Sequence, residues 1–124
     1  MKKNSQHTVG VVIVNWNLAE DTIKCIKSLR KNITSCALDI VVVDNGSNKN
    51  DLRKLSRLKD AALIKNPLNL GYAKANNQGI DFFLKKKDVD LLLLMNNDAF
   101  CVDDFLSLMI TELDKNSKIG LSVH

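Results

Sequence analysis

The sequence predicts an α/β protein, a Rossmann-like three-layer sandwich built on a mostly parallel sheet. Short β-branched or leucine-rich runs recur along the chain, bounded by polar loop residues. Between them stand stretches whose apolar residues fall at helical spacing. The runs are continuous rather than alternating, as strands covered on both faces require.

Each element follows from its own residues. "TVGVVIVNW" opens as a buried strand after a tail over residues 1–7 that is expected to be flexible. "LAEDTIKCIKSLRKN" carries Leu18, Thr22, Cys25, Ile26 and Leu29 on one helical stripe. "LDIVVVDN" is a second strand. "NKNDLRKLSRL" offers Asn50 or Asp51 as a cap, with Leu52, Leu55 and Leu58 as a stripe. "AALIKN" is a third strand. "GYAKANNQGIDFFLKKK" is a helix expected to turn Tyr72, Ile80, Phe83 and Leu84 inward. "VDLLLLMN" is a fourth strand. "VDDFLSLMITELDKN" is a helix with Val102, Phe105, Leu106, Met109 and Leu113 on its inner face. "KIGLSV" is expected to begin a fifth strand. Residues 8–124 thus read as one domain, with right-handed crossovers between its strands.

Composition excludes several classes. At 124 residues, 45% hydrophobic and 26% charged, the chain is an ordinary globular domain rather than a disordered one. Such a length buries roughly 65% of the unfolded surface, enough for a core without staples. Cys25, Cys36 and Cys101 are odd in number and show no CxxC spacing, which disfavours a disulfide framework or a zinc site and points to a reducing, cytoplasmic setting. No apolar run approaches the ~20 residues of a membrane span, so any membrane association is expected at the inner face. A net charge of +4 with few aromatics argues against a nucleic-acid binder. Lys85, Lys86 and Lys87 read either as a solvated helix C-terminus or as an attraction for an acidic substrate or anionic membrane.

In a parallel sheet, ligands bind beyond the carboxyl ends of the strands. Here the four exits read "NWN", "DNGSNKND", "KNPLNLGYAKANNQG" and "NNDA". One such exit is turn chemistry; four on one edge make a polar crevice. No GxGxxG or GxxxxGK[ST] is present, and the histidines, His7 and His124, stand near the ends. Carboxylates, amides and backbone donors remain, which suit Mg²⁺ or Mn²⁺ with a phosphate-bearing ligand.

"VVIVNWN", "VVVDNGSNKND", "NLGYAKANNQGI" and "LLLLMNNDAF", in that order, resemble the donor-binding half of family 2 glycosyltransferases with the GT-A fold. The closest resemblance is to rhamnosyltransferase-like bacterial members that build surface polysaccharides. It implies a nucleotide-diphosphate sugar donor, such as a UDP- or dTDP-sugar, and transfer with inversion to a saccharide or lipid-linked acceptor. By the same resemblance Asp44 contacts the nucleoside, with Asn45 where many members have a second Asp. Asn15, Trp16 and Asn17 border the base; Trp16 either stacks on it or covers the core. Gly71, Lys74 and Asn77 lie near the diphosphate. "NND" takes the place of the family's DxD motif, with Asn97 beside the nucleotide and Asp98 holding the Mn²⁺ or Mg²⁺.

The resemblance covers residues 8 to 123, and family members run on beyond it. The chain is therefore expected to be a truncated GT-A domain lacking the general base, with Asp103 and Asp104 as weak substitutes. A homo-oligomer through the edge at residues 119–123 is expected for the same reason. A non-catalytic nucleotide-binding or interaction module lacking the acceptor half is the alternative. A receiver-like domain fits poorly, because "NWN" and "KNP" stand where it needs acids.

Overall fold

The computed structural model describes residues 7–115. In chain order its elements are β1 (Thr8–Asn15), α1 (Ala19–Asn32), β2 (Ala37–Asn45), α2 (Lys49–Leu55), β3 (Ala62–Asn66), α3 (Tyr72–Lys86), β4 (Leu91–Met95) and α4 (Phe105–Lys115). The predicted alternation is present. The expected fifth strand, the association edge at 119–123 and the tail over 1–6 lie outside the described residues.

The four strands form one sheet in the order β3-β2-β1-β4, and every neighbouring pair is parallel. Alternate side chains leave each strand on opposite faces. On one face Val9, Val11, Ile13, Ile40, Val42, Leu93 and Met95 pack beneath α1, α2 and α4, meeting Cys25, Ile26, Leu29, Leu55, Leu106 and Ile110. On the other, Val12, Val41 and Val43 pack against Ala75 and Phe83 of α3. Two covered faces explain why the strands read as unbroken apolar runs.

The helix placement follows from the strand order. From β1 to β2 to β3 the chain steps one way, with α1 and α2 on one face. From β3 it returns past β1 to β4, with α3 on the opposite face. Crossovers of one hand in opposite directions must cover opposite faces. The β1–β4 junction is therefore the switch point, where a crevice opens between the strand exits. Close backbone approach seats α3 on β1. A Cβ added at Gly79 would lie 2.3 Å from Val12 Cγ1, and one at Gly10 would lie 2.8 Å from the Phe83 ring. Phe83 is fully buried over Gly10, and burial of such a side chain stabilises by about 1.5–3 kcal/mol.

Several expected faces need correction. Tyr72 and Leu84 are exposed; α3 turns Ala75, Asn76, Gly79 and Phe83 inward. Val102 is exposed and precedes α4, whose buried residues are Leu106 and Ile110. Leu18 is exposed because it is the N-cap of α1, not part of its stripe. The cap of α2 is Asn48, whose side-chain oxygen accepts from the Asp51 N–H at 2.9 Å. That frees Asp51 to turn inward, where it is buried.

The lysine triplet ends α3 as a helix C-terminus does. Lys85 and Lys86 stand in the last turn, and Lys87 takes a left-handed conformation with its N–H bonded to the Phe83 carbonyl. Lys86 pairs with Asp39 at 2.8 Å. Among the described residues no helix is long and apolar enough to cross a membrane.

Candidate functional site

Two polar networks hold the strand exits together. The first centres on Asn15, which ends β1 and is fully buried. Parallel register sets it beside Asp44 of β2. Its Nδ2 reaches Asp44 Oδ1 at 3.0 Å, Asp51 Oδ2 at 2.8 Å and Ser47 Oγ at 3.2 Å. Its Oδ1 accepts from the Thr22 hydroxyl at 2.6 Å, and Thr22 Oγ1 in turn accepts from Asn97 Nδ2 at 3.2 Å. Only one orientation of the Asn15 amide satisfies all these partners. The chain of bonds therefore runs from the β4 exit, through α1, to the β2 exit.

Asp44 is also fully buried. Its oxygens accept from the Ser47 N–H at 2.9 Å and the Ser47 hydroxyl at 2.6 Å. Asp51 Oδ1 accepts from the Ala19 N–H at 2.8 Å, which ties α2 to the start of α1. Asn17 has φ 55°, a conformation that Asn tolerates better than most residues. It joins the same turn, its N–H bonded to Ser47 Oγ and its Oδ1 accepting from the Asn48 N–H.

The second network centres on Asn45. Its Oδ1 accepts from Asn66 Nδ2 at 3.2 Å and the Leu70 N–H at 3.1 Å. Its Nδ2 donates to Asn69 Oδ1 at 3.1 Å and the Gly71 carbonyl at 3.2 Å. All four bonding positions of the amide are used. A carboxylate could not make the two donations. Asn45 is thus suited to this structure as an amide, and it positions the loop leading into α3. Asn66 and Gln78 pair through both of their amides, at 2.7 and 2.8 Å.

Between these networks lies a cleft of about 240 Å³ lined by Val14, Trp16, Leu18, Asn45, Asn69, Tyr72 and Asn97. Trp16 is half exposed at its mouth and belongs to neither core cluster, so it does not cover the core. Tyr72 reaches across from α3, its hydroxyl donating to Asn96 Oδ1 at 2.9 Å.

Residues 10–123 match the family model described as Glycosyl transferase family 2. The chain belongs to glycosyl transferase family 2. It is also similar to a protein of Haloferax volcanii named "Low-salt glycan biosynthesis hexosyltransferase Agl10", with 34% identity over 90 residues. That match covers 73% of this chain and 27% of the relative, so the chain spans about a quarter of the relative's length.

Within this family 2 chain, the structure gathers Trp16, Asn45 and Asn97 at the cleft. Asn15 and Asp44 are fully buried and do not line it. Asn17 lines a neighbouring cleft with Glu20, Asp21 and Lys54. Gly71 caps α3 at φ 91°, and nothing lies within 4 Å of where its Cβ would stand. That leaves the first turn of α3 open, with no acidic residue and no side-chain cap on its free N–H groups. Lys74 and Asn77 are exposed on the same helix and do not line the cleft. Asn76 is buried, and its Oδ1 has no hydrogen-bond partner in the structure.

Asp98 is exposed just past β4. Among the described residues, no three His, Cys, Asp or Glu side chains group closely enough to hold a metal. A single exposed carboxylate still fits Mg²⁺ or Mn²⁺ when phosphate oxygens and waters complete the shell. Asp104 has a different task. Its carboxylate accepts from the Thr34 and Ser35 N–H groups at 2.9 and 2.8 Å, which pins the α1–β2 loop. Burial works to raise its pKa, but these bonds, the Ser35 hydroxyl and the Ser107 N–H outweigh burial and hold it low. A carboxylate so engaged is a poor general base.

Sequence reasoning did not single out Thr22, Ser47, Asp51 and Asn69 as site residues. Thr22 falls on the apolar stripe of α1, yet a hydroxyl on a buried helix face must find a partner. The apolar spacing points Tyr72 inward; its position at the first residue after the glycine cap is the signal for a rim residue.

Proposed function

We propose that this chain supplies the donor-binding half of a glycosyltransferase that moves a sugar from a nucleotide diphosphate, UDP or dTDP, with inversion. The supporting observation is the convergence of four strand exits on one cleft at the β1–β4 switch point. In this reading the nucleoside enters between Trp16 and Tyr72, and Trp16 stacks on the base. The base imide or a ribose hydroxyl reaches Asp44 by taking the place of the Ser47 hydroxyl. The diphosphate lies toward the open N-terminus of α3, with Lys74 and Asn77 at its outer side. Asn97 orients it from the β4 side.

Asp98 holds Mg²⁺ or Mn²⁺ beside the diphosphate. A cation held there would supply the positive charge that offsets what develops on the leaving nucleotide. The acceptor is a saccharide or lipid-linked glycan in surface polysaccharide synthesis, of the rhamnosyltransferase-like type, at the cytoplasmic side of a membrane. The general base comes from residues other than Asp104, which is already committed to the α1–β2 loop.

Calorimetry with UDP and dTDP, with and without Mn²⁺, tests the site. Binding should strengthen with Mn²⁺, and Asp98→Ala should remove that gain while leaving the metal-free affinity intact. Identical affinities for both proteins in Mn²⁺ would overturn the assignment of Asp98.

A further inference from the structure

A cleft of about 430 Å³ lies outside the nucleotide site, between α1 and the loop that follows β4. Its rim carries Lys24, Lys27 and Lys31, spaced three and four residues apart on the outer face of α1. Phe100 and Val102 line the same cleft and are 67% and 77% exposed. A second cleft, about 280 Å³, shares Lys27 and adds Lys54 and Arg57. No carboxylate lines either cleft. Among the described residues, none of Lys24, Lys27, Lys31 or Arg57 forms an ion pair, whereas Lys54 is held by Glu20.

The face therefore combines cations that form no ion pair among the described residues with two protruding apolar side chains. We propose that it is a docking surface for an anionic lipid bilayer. Such a surface offers both things the face lacks: a negative potential for the ammonium groups and an apolar layer for Phe100 and Val102. The lysine stems can lie along that apolar layer while their heads stay among the phosphates. A second copy of the chain would set like charges opposite one another. A nucleic acid would meet the cations but find one aromatic side chain, Phe100, for stacking. Phe100 is two residues from Asp98, a chain distance of at most about 7 Å. If the proposed donor site is right, docking sets its cation at the bilayer edge.

Sedimentation with vesicles tests this without any nucleotide, so the result stands apart from the donor reading. Phosphatidylcholine vesicles containing phosphatidylglycerol should carry the protein down, and pure phosphatidylcholine should not. Added salt should release it. A lysine at such a surface contributes a factor of about five, so Lys24→Ala/Lys27→Ala/Lys31→Ala should weaken partition about 10²-fold. Phe100→Ser should weaken it further without changing the salt dependence. Lys85→Ala/Lys87→Ala, at the far end of α3, should leave it unchanged. All these positions are exposed, and far-UV circular dichroism confirms that each variant is folded. The proposal fails if the α1 triple variant partitions like the parent, or if the α3 pair loses as much. It also fails if single-stranded RNA binds more tightly than the vesicles and the same triple variant abolishes that binding.

Discussion

Replacing Asn15 by Asp changes one NH₂ to an oxygen and keeps the shape. It removes the donor that now reaches both Asp44 and Asp51. Hydrogen bonds to charged groups each contribute about 1.5–3 kcal/mol, so losing two costs about 3–6 kcal/mol before any repulsion. Domain stabilities run about 5–15 kcal/mol, so the loss takes up much of the total. The new carboxyl would also sit between two buried carboxylates, and that cluster must retain a proton. Its folded pKa then lies above the unfolded value, and the native state binds more protons than the unfolded one. Stability must therefore fall as pH rises through the folded pKa and recover as pH falls toward the unfolded one. Urea unfolding of parent and Asn15→Asp near neutrality and at about pH 5 measures this. The gap between the two proteins should be several kcal/mol near neutrality and should narrow in acid. A gap that is small, or that does not change with pH, would show that Asn15 does not bridge the carboxylates.

Gly79→Ala should lower the urea midpoint, although alanine is the better helix former by about 1 kcal/mol. Its Cβ would meet Val12 at 2.3 Å, and forcing such a contact costs about 1–3 kcal/mol or more. Asp104→Asn should loosen residues 33–35, read as faster amide exchange at Thr34 and Ser35. Because the Asp104 pKa is lowered, its contribution is present above the unfolded pKa and disappears as pH falls through the folded one. Cys25, Cys36 and Cys101 are free and buried, and burial, with the neighbouring Cys101 and Asp98 charges, pushes the Cys25 thiol up to about 12. Ellman's reagent should therefore react slowly with the native protein and quickly in denaturant.

The strands were legible because both faces of the sheet are covered, which leaves runs such as Val11–Val14 and Leu91–Met95 with nothing to alternate against. The crevice was legible as four amide-rich exits. Which amides face a ligand was not, because that depends on partners far away in sequence. Asn45 looks like a weakened acid until its bonds to Asn69 and Gly71 are seen. Asp51 looks like a cap until Asn48 takes that place and turns it inward. Helix ends also misled: Leu18, Tyr72 and Val102 continue an apolar spacing, but each stands where a helix is just starting, or has not started, and so is exposed.

The four bonds of Asn45 have a mechanical result. They fasten the loop ahead of α3 to β2, so this wall of the crevice is carried by that strand. The Asp98 wall is carried by β4. Among the described residues, the hydrogen bond from Tyr72 to Asn96 alone joins the first turn of α3 to the β4 exit. A neutral bond of this kind contributes about 0.5–1.5 kcal/mol, one to three times thermal energy. At the mouth of the crevice the two walls are thus joined by a light clasp, while behind it the Asn97–Thr22–Asn15–Asp44 chain of bonds keeps the β4 and β2 exits together.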